Sequence, residues 1–365
     1  MSPLFYISIF LLVFVAFRFV VALVNYITQP ELPFGEVVGS PMVSILIPAR
    51  NEEQNIQELI KSLLNQTYTN LEIIVYNDQS TDSTASIVLD LASTNSQIKL
   101  IQGESLPSGW LGKNHACYQL AKSGNGNFLL FLDADVSVSP NLVGNALAFM
   151  QRKKLTLLSM FPRQELRSTG EKLVVPSMNW ILLTLLILRL IYWSERRSLS
   201  AANGQMMMFD ANTYRQNDWH QRVMKSAVED IAISRMVKKQ KLKMATLLGT
   251  DDISCRMYGS YHEAITGFTK NVTAFFGGSI VVTLLFALLG TVGPFIVLFG
   301  LPFPLVLLYF TMLLSSRVFV SKLSKQSLYF NVLLWPLQHF AFLHLVYKAL
   351  AFSNSKKYVW KGRRI

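Results

Sequence analysis

Residues 127–136 read NFLLFLDADV, and this stretch decides the fold class of the chain. An apolar run of strand length ends directly at two aspartates, Asp133 and Asp135. A second apolar run, Leu71–Tyr76, ends in the same way at Asp78. Carboxylates at the carboxyl ends of parallel strands point into the crevice where α/β sheets bind ligands. Several oxygens in that place suit a divalent cation and a diphosphate.

The segments around these runs alternate between strand and helix. Met42–Pro48 and Ile98–Ile101 are further short runs rich in β-forming residues, and Glu52–Asn65 has apolar residues at helical spacing. This alternation predicts an α/β fold with a mostly parallel sheet and helices on both faces. The sequence contains neither a Walker phosphate loop nor the dinucleotide glycine fingerprint. A bound phosphate would therefore have to be held by a cation and side chains.

The composition indicates a membrane protein. Of the 365 residues, 51% are hydrophobic and 15% are charged, against about 25% charged in soluble proteins. Residues 4–27 are apolar apart from Arg18 and Asn25 and are long enough to span a bilayer. They lack the positive start and the cleavage site of a signal peptide, which favours a retained anchor.

Further apolar blocks run from residue 275 to 314 and from 328 to 352. The stretch 173–193 is also apolar. A membrane span there would place Asp133-Ala134-Asp135 and a later acidic pair, Glu229-Asp230, on opposite sides of the membrane, although one active site would need both. We therefore expect this stretch to form a helix that lies in the membrane interface. The predicted organisation is an N-terminal anchor over 1–28, a catalytic domain over 40–271, a C-terminal membrane domain over 272–352 and a basic tail over 353–365. If residues 328–352 crossed the membrane completely, the basic tail would lie outside the cell. We favour a re-entrant hairpin at Pro336, which keeps this tail on the cytoplasmic side.

The formal charge of +12 does not indicate nucleic-acid binding. The basic residues flank the apolar segments, as the positive-inside bias predicts, and suit anionic lipid headgroups. Two cysteines, Cys117 and Cys255, make no disulfide framework. We therefore expect the catalytic domain to face the cytoplasm.

Four motifs in order, SILIPARNEE, YNDQSTDST, FLDADV and AVED, resemble the family 2 glycosyltransferases with the GT-A fold. The resemblance covers about residues 43–271. Four further features narrow the resemblance to bacterial membrane glycosyltransferases of the carotenoid and hopanoid-associated group. They are the N-terminal anchor, the motifs GWLGKNHA and NGQMMMF, and the C-terminal apolar block. The resemblance implies a location in the bacterial inner membrane, with several spans.

The resemblance also implies roles for individual residues. Asp135 would bind Mg²⁺ or Mn²⁺, Asp230 would be the catalytic base, and His220 is a further candidate near that base. The residues implied in binding a UDP-sugar donor are Ala49, Glu52, Asp78, Lys113 and Asp133. One departure concerns the Gln-x-x-Arg-Trp motif of processive relatives, which is missing here, although Lys270 could supply a cation for the diphosphate.

The function expected from this pattern is an inverting transfer of a sugar from a UDP-sugar to a hydroxyl or carboxyl group of a membrane isoprenoid lipid. Loss of the diphosphate calls for a cation as Lewis acid, and attack by a hydroxyl calls for a positioned carboxylate. The alternatives are transfer to a polyprenyl phosphate, a polysaccharide synthase, and a catalytically inactive membrane scaffold.

Overall fold

The computed structural model describes residues 2–353, 359–360 and 363–364. The described chain separates into two compact units. The sheet unit comprises residues 30–163 and 188–256 with the short strands near the C-terminus, and the helical unit comprises residues 2–29, 164–187 and 257–353. The segment 164–187, which lies in sequence between two stretches of the sheet unit, therefore belongs to the helical unit.

The elements follow in chain order. The strands are β1 Val43–Ala49, β2 Leu71–Asn77, β3 Ile98–Gln102, β4 Phe128–Leu132, β5 Val136–Val138, β6 Leu157–Gln164, β7 Met206–Asp210, β8 Met244–Cys255, β9 Val359–Trp360 and β10 Arg363–Arg364. The α-helices are α1 Pro3–Thr28, α2 Ile56–Leu64, α3 Thr84–Thr94, α4 Gly112–Ser123, α5 Leu142–Lys153, α6 Thr169–Val174, α7 Pro176–Leu185, α8 Leu188–Trp193, α9 Ala211–Asn217, α10 Trp219–Arg222, α11 Glu229–Lys239, α12 Tyr261–Thr269, α13 Ile280–Gly300, α14 Phe303–Leu323, α15 Leu328–Leu333 and α16 Trp335–Ser353. A 3₁₀ helix spans Val272–Phe276.

One eight-stranded sheet, with the strand order β3-β2-β1-β4-β7-β6-β8-β5, organises the sheet unit. β1 is parallel to β2 and to β4, and β2 is parallel to β3. β7 is antiparallel to β4 and to β6, and β5 is antiparallel to β8. The predicted α/β fold is confirmed, and the sheet is mixed because antiparallel strands extend its parallel half.

The parallel half forms because its strands are apolar on both faces. In β1 and in β2, six of the seven residues are buried. A parallel sheet covered by helices on both faces requires such continuous apolar runs. The register pairs Ala49 with Asn77, so the first residue after β2 lies beside the end of β1. There the N–H of Asp78 donates to the carbonyl oxygen of Ala49 at 2.8 Å.

The helical unit contains three helices that are long and apolar enough to cross a membrane, α1, α13 and α14, among the residues that the structure describes. A hydrophobic cluster joins them, with Leu11 from α1, Val297 from α13 and Tyr309 from α14. The apolar helices from both ends of the chain therefore pack into one core.

The stretch 173–193, which we expected to form one interfacial helix, contains the end of α6, all of α7 and all of α8. The backbone becomes extended at Leu186, which ends α7. α7 belongs to the helical unit and α8 to the sheet unit. The domain boundaries, the interfacial position and the hairpin at Pro336 remain predictions, and most of the basic tail lies outside the described residues.

Gly126 lies just before β4, where the chain passes close to β1. A Cβ atom at this position would lie 2.6 Å from the backbone nitrogen of Ser44 and 2.8 Å from the carbonyl oxygen of Met42. We expect Gly126→Ala to lower the free energy of unfolding by about 1–3 kcal/mol, because backbone atoms of a central strand have little room to move. Thermal unfolding of the detergent-solubilised protein measures this loss.

Gly144 in α5 provides the matched control. A Cβ atom there meets its nearest neighbour, the Cβ of Tyr68, at 3.8 Å. We expect Gly144→Ala to be neutral or stabilising by about 0.5–1 kcal/mol, because alanine loses less entropy than glycine in a helix. Equal losses in the two variants would contradict the steric argument.

Candidate active site

The ammonium group of Lys113 connects three segments of the sheet unit. Lys113 lies in the first turn of α4, and its Nζ is 2.8 Å from Oδ1 of Asp133, the residue after β4. The same Nζ is 3.1 Å from Oε1 of Glu229, the first residue of α11. It also donates to the carbonyl oxygen of Gly204 at 3.4 Å. Asp133 at the end of β4 and Glu229 of the downstream acidic pair therefore lie in one site.

Gly204 brings the second acid of that pair, Asp230, into the site. Its N–H donates to Oδ2 of Asp230 at 3.0 Å, and the N–H of Ile231 donates to Oδ1 at 2.7 Å. A Cβ atom at position 204 would lie 2.9 Å from Oε1 of Glu229 and 3.1 Å from Nζ of Lys113. A larger residue here would push the ends of these two charged side chains away from their present positions.

Burial and charge set the protonation of this cluster. Burial lowers the pKa of Lys113, but the carboxylates of Asp133 and Glu229 outweigh it and hold that pKa well above its usual value. Lys113 therefore stays charged. Burial raises the pKa of Asp133 to about 6, although the neighbouring Lys113 opposes this.

The pKa of Asp230 is shifted to a value that suits proton transfer. Burial, followed by repulsion from Glu229, raises the pKa of Asp230 to about 7. A carboxylate whose pKa lies near neutrality can take up a proton during a reaction and release it afterwards. Such shifts are common at catalytic sites.

Asp135 has the property expected of a cation ligand. Its Oδ1 is buried and has no hydrogen-bond partner among the described residues, and the same holds for Oε1 of Gln205. Cys255 neighbours both residues: its Sγ accepts a hydrogen bond from Nε2 of Gln205 at 2.9 Å, and burial and then the charge of Asp135 raise the pKa of its thiol.

Two unpaired oxygens fit a divalent cation, which prefers oxygen ligands. Across the described residues no group of three or more His, Cys, Asp or Glu side chains has metal-binding geometry. A cation bound here would therefore take part of its coordination from substrate oxygens.

The residues predicted to bind the nucleotide lie at the ends of β1 and β2. Ala49 and Asp78 are buried, at 1% and 4% exposure. The backbone N–H of Glu52 donates to Oγ1 of Thr84 at 2.8 Å, which fixes the loop after β1. These placements agree with a pocket at the strand ends, while the roles of the three residues remain predictions.

His220 lies close enough to the cluster for the charges of Glu229 and Lys113 to act on its pKa, and its role and that of Lys270 remain predictions. His220 is buried, its Nδ1 lies 2.7 Å from Oη of Tyr214, and its ring packs against Phe131 at 4.8 Å between centroids. Burial lowers the pKa of His220 to about 4, so it is neutral. Its contacts are those of a packing residue. Lys270 belongs to the helical unit, at the end of α12.

Sequence reasoning assigned no role to Glu229, Gly204 or Gln205. The sequence presents Glu229 only as the neighbour of Asp230, and Asn203-Gly204-Gln205 only as part of a motif that carries the resemblance. The position of this motif directly before a strand, with glycine between two amide side chains, is the signal that the sequence offers. The contacts themselves join residues far apart in sequence, which no local pattern reveals.

Asp230 gives a pH-dependent prediction. Its pKa of about 7 in the folded protein compares with about 3.9 in an unfolded chain. The folded state therefore holds more protons between these values, and stability falls as the pH rises from about 4 to about 7. We expect Asp230→Asn to raise the melting temperature by several degrees at about pH 8 and by roughly a third as much at about pH 5, because at pH 5 the wild type has lost only part of this stability.

Thermal unfolding followed by fluorescence across this pH range measures the effect. Asp90→Asn is the control, because Asp90 is exposed on α3. It should show no pH-dependent difference from the wild type. A lower melting temperature of Asp230→Asn at about pH 8 would show that the ionised carboxylate is not disfavoured by burial.

Comparison with known proteins identifies a family for the part of this site that contains Lys113, Asp133, Asp135 and Gly204, and the match ends before Glu229 and Asp230. Residues 44–217 match the sequence profile of glycosyl transferase family 2. The chain is 26% identical over 242 residues to 4,4'-diaponeurosporenoate glycosyltransferase of Staphylococcus haemolyticus and 27% identical over 241 residues to the protein of that name from Staphylococcus aureus strain MRSA252. Each match covers 65% of this chain and 62% of the relative, less than two thirds of its length.

Among solved structures, a mannosyltransferase from Pyrobaculum calidifontis, in complex with GDP-Man and Mn²⁺, superposes with a TM-score of 0.55 at 16% identity. The superposition covers 95% of this chain and 99% of that chain. At this identity the similarity concerns the fold, and it agrees with the mixed sheet described above. Residues 44–217 therefore form a glycosyl transferase family 2 domain with the GT-A fold.

Proposed function

We propose that this protein transfers a sugar from a UDP-sugar to a hydroxyl or carboxyl group of a membrane isoprenoid lipid of the carotenoid type, with inversion at the anomeric carbon. One observation carries the proposal. Asp230, with a pKa near neutrality, is connected through Gly204 and Lys113 to Asp133 at the end of β4. The two Staphylococcus relatives, named as carotenoid-acid glycosyltransferases, support the acceptor class.

The donor binds at the ends of β1, β2 and β4. Ala49, Glu52 and Asp78 line the nucleotide side, and Asp133 contacts the ribose or the sugar. Lys113 orients Asp133 through a bond of 2.8 Å, so its role is to position this carboxylate while adding positive charge near the diphosphate.

Asp135 holds the cation, Mg²⁺ or Mn²⁺, with Gln205 as an additional oxygen ligand. When bound, the cation neutralises charge on the departing diphosphate. The buried, unpartnered oxygens of both side chains support this assignment. The Pyrobaculum mannosyltransferase was solved in complex with GDP-Man and Mn²⁺, which supports a divalent cation beside a nucleotide sugar.

Asp230 takes the proton from an acceptor hydroxyl as the oxygen attacks the anomeric carbon. Its two backbone hydrogen bonds hold the carboxylate in place. A single displacement with one base inverts the anomeric centre. A carboxyl acceptor is already ionised at neutral pH, so Asp230 would matter less for it.

The lipid acceptor and the location follow from the helical unit. α1, α13 and α14 have the length and composition of membrane spans, and an apolar acceptor would reside in that membrane. Lys322 and Lys325, at and just after the end of α14, favour a cytoplasmic position for that end. We propose a multi-pass protein of the bacterial inner membrane with its sheet unit in the cytoplasm.

Replacing Asp230 tests the proposed base. With UDP-glucose and a carotenoid alcohol, we expect Asp230→Asn to lower kcat by about 10²–10⁴-fold. The wild-type rate should rise with pH and level off above about 7, because the base acts when ionised. Release of UDP in detergent micelles measures both.

A carotenoid acid as acceptor and Asp90→Asn as control sharpen this test. With the acid, Asp230→Asn should lose no more than about tenfold, because no proton has to be removed. Asp90→Asn should behave as the wild type with both acceptors. Full activity of Asp230→Asn on the alcohol would exclude Asp230 as the base.

Asp135 gives a separate prediction. We expect Asp135→Asn to weaken Mn²⁺ binding at least about tenfold in the presence of UDP, because it removes a charged oxygen ligand. Electron paramagnetic resonance of free Mn²⁺ measures the affinity without turnover. Unchanged Mn²⁺ affinity, or an equal loss in Asp90→Asn, would contradict the assignment.

A further inference from the structure

Two arginines are buried in the apolar helices of the helical unit. Arg18 in α1 is 4% exposed and Arg317 in α14 is 3% exposed. Both helices are candidate membrane spans. A charged side chain inside a membrane bundle is costly, and such residues usually have a partner or a function.

Neutral groups surround the two guanidinium groups. Both pack on the ring of Trp180 in α7, with Cζ at 4.4 Å for Arg18 and 4.0 Å for Arg317. Arg18 donates to Oγ1 of Thr184 at 2.7 and 3.0 Å. Arg317 donates to Oε1 of Gln338 at 2.5 Å, and its Nη2 lies 3.2 Å from Nδ1 of His339.

No carboxylate balances these charges. The helices α1, α7, α13, α14 and α16, which enclose the arginines, contain neither aspartate nor glutamate. Neither arginine forms an ion pair within the described part of the chain, and Nε of Arg317 is buried without a hydrogen-bond partner there. Two positive charges on one aromatic ring repel each other, so an anion would be strongly favoured beside them.

A small cavity adjoins the arginines. Its volume is about 20 Å³, and Arg18, Trp180, Tyr309, Ser316 and His339 contribute to its lining. That volume holds one or two water-sized groups, the size of the two oxygens of a carboxylate and less than a phosphodiester requires. Arg18 lines the cavity directly, and Arg317 contacts the lining residue His339.

We propose that this arginine site, made of Arg18, Trp180, Arg317 and His339, binds the carboxylate of a membrane lipid. The guanidinium fork matches the two oxygens of a carboxylate. The surrounding apolar helices favour a lipid over a water-soluble acid. The inference does not rest on the proposed sugar transfer, since all four residues belong to the helical unit.

Binding of oleate to the full-length protein in nanodiscs of zwitterionic phospholipid tests the site. We expect radiolabelled oleate to bind, and Arg317→Gln to weaken its affinity about 10–100-fold through loss of charge-assisted hydrogen bonds. Lys322→Gln is the matched control, because it removes the same charge from an exposed position on α14. It should bind oleate as the wild type does.

Neutral and soluble analogues decide the chemistry. Oleyl alcohol and acetate should each bind at least about tenfold more weakly than oleate. Equal binding of oleyl alcohol would overturn the charge argument, and equal binding of acetate would overturn the lipid assignment. If phosphatidylglycerol displaced the radiolabelled oleate more strongly than unlabelled oleate does, the preferred ligand group would be a phosphate and not a carboxylate.

Arg317→Lys covers the case in which Arg317→Gln does not fold. It keeps the charge but loses the planar fork, so it should fold and still bind oleate more weakly than the wild type. Wild-type affinity for oleate in Arg317→Lys, or an equal loss in Lys322→Gln, would overturn the proposal. In either case the arginines would be structural, held by Trp180 and the neutral side chains Thr184 and Gln338.

Discussion

The ion pairs of Lys113 with Asp133 and Glu229 are the constraint on which the sheet unit's candidate site depends. Burying the charged lysine without the acids would cost the full desolvation free energy of its ammonium group, and burying either carboxylate without the lysine would carry the same kind of cost. The three groups can therefore be buried only together. This requires α4, the end of β4 and the start of α11 to meet within about 3 Å of one nitrogen.

The sheet order makes this meeting possible. β7 lies beside β4, with Met206 opposite Leu132, so the residues before β7 lie next to those after β4. Gly204 reaches the site for this reason and bonds both to Lys113 and to Asp230. Charge balance, strand pairing and the missing side chain of a glycine thus act together to hold Asp230 in place.

The two units bury positive charge in different ways. In the sheet unit Lys113 is balanced by carboxylates of the same chain. In the helical unit Arg18 and Arg317 share an aromatic ring and neutral acceptors. In the first arrangement, the partners of the lysine lie within the described structure and hold the candidate site together. The second leaves net positive charge among apolar helices, which is the basis for inferring an anionic ligand.

Sequence patterns were sufficient for elements with local signals. β1, β2 and β4 are buried on both faces, so their apolar runs and the acids behind them were visible in the chain. The antiparallel half was not predicted, because β5 and β8 pair across more than one hundred residues and β7 was known only as a motif. For His220, resemblance suggested a place near the base, whereas its polar contact is with Tyr214 inside the packing.

The sequence by itself determined the fold class, the membrane character and the identity of the acidic clusters, because each depends on neighbouring residues and their hydrophobic period. Only the tertiary structure decided which charges meet. It gave Lys113 two carboxylate partners, gave Glu229 and Gly204 their positions, and gathered Arg18 and Arg317 on one tryptophan. Electrostatic energies depend on distances between residues remote in the chain and on burial, and both exist only in the folded protein.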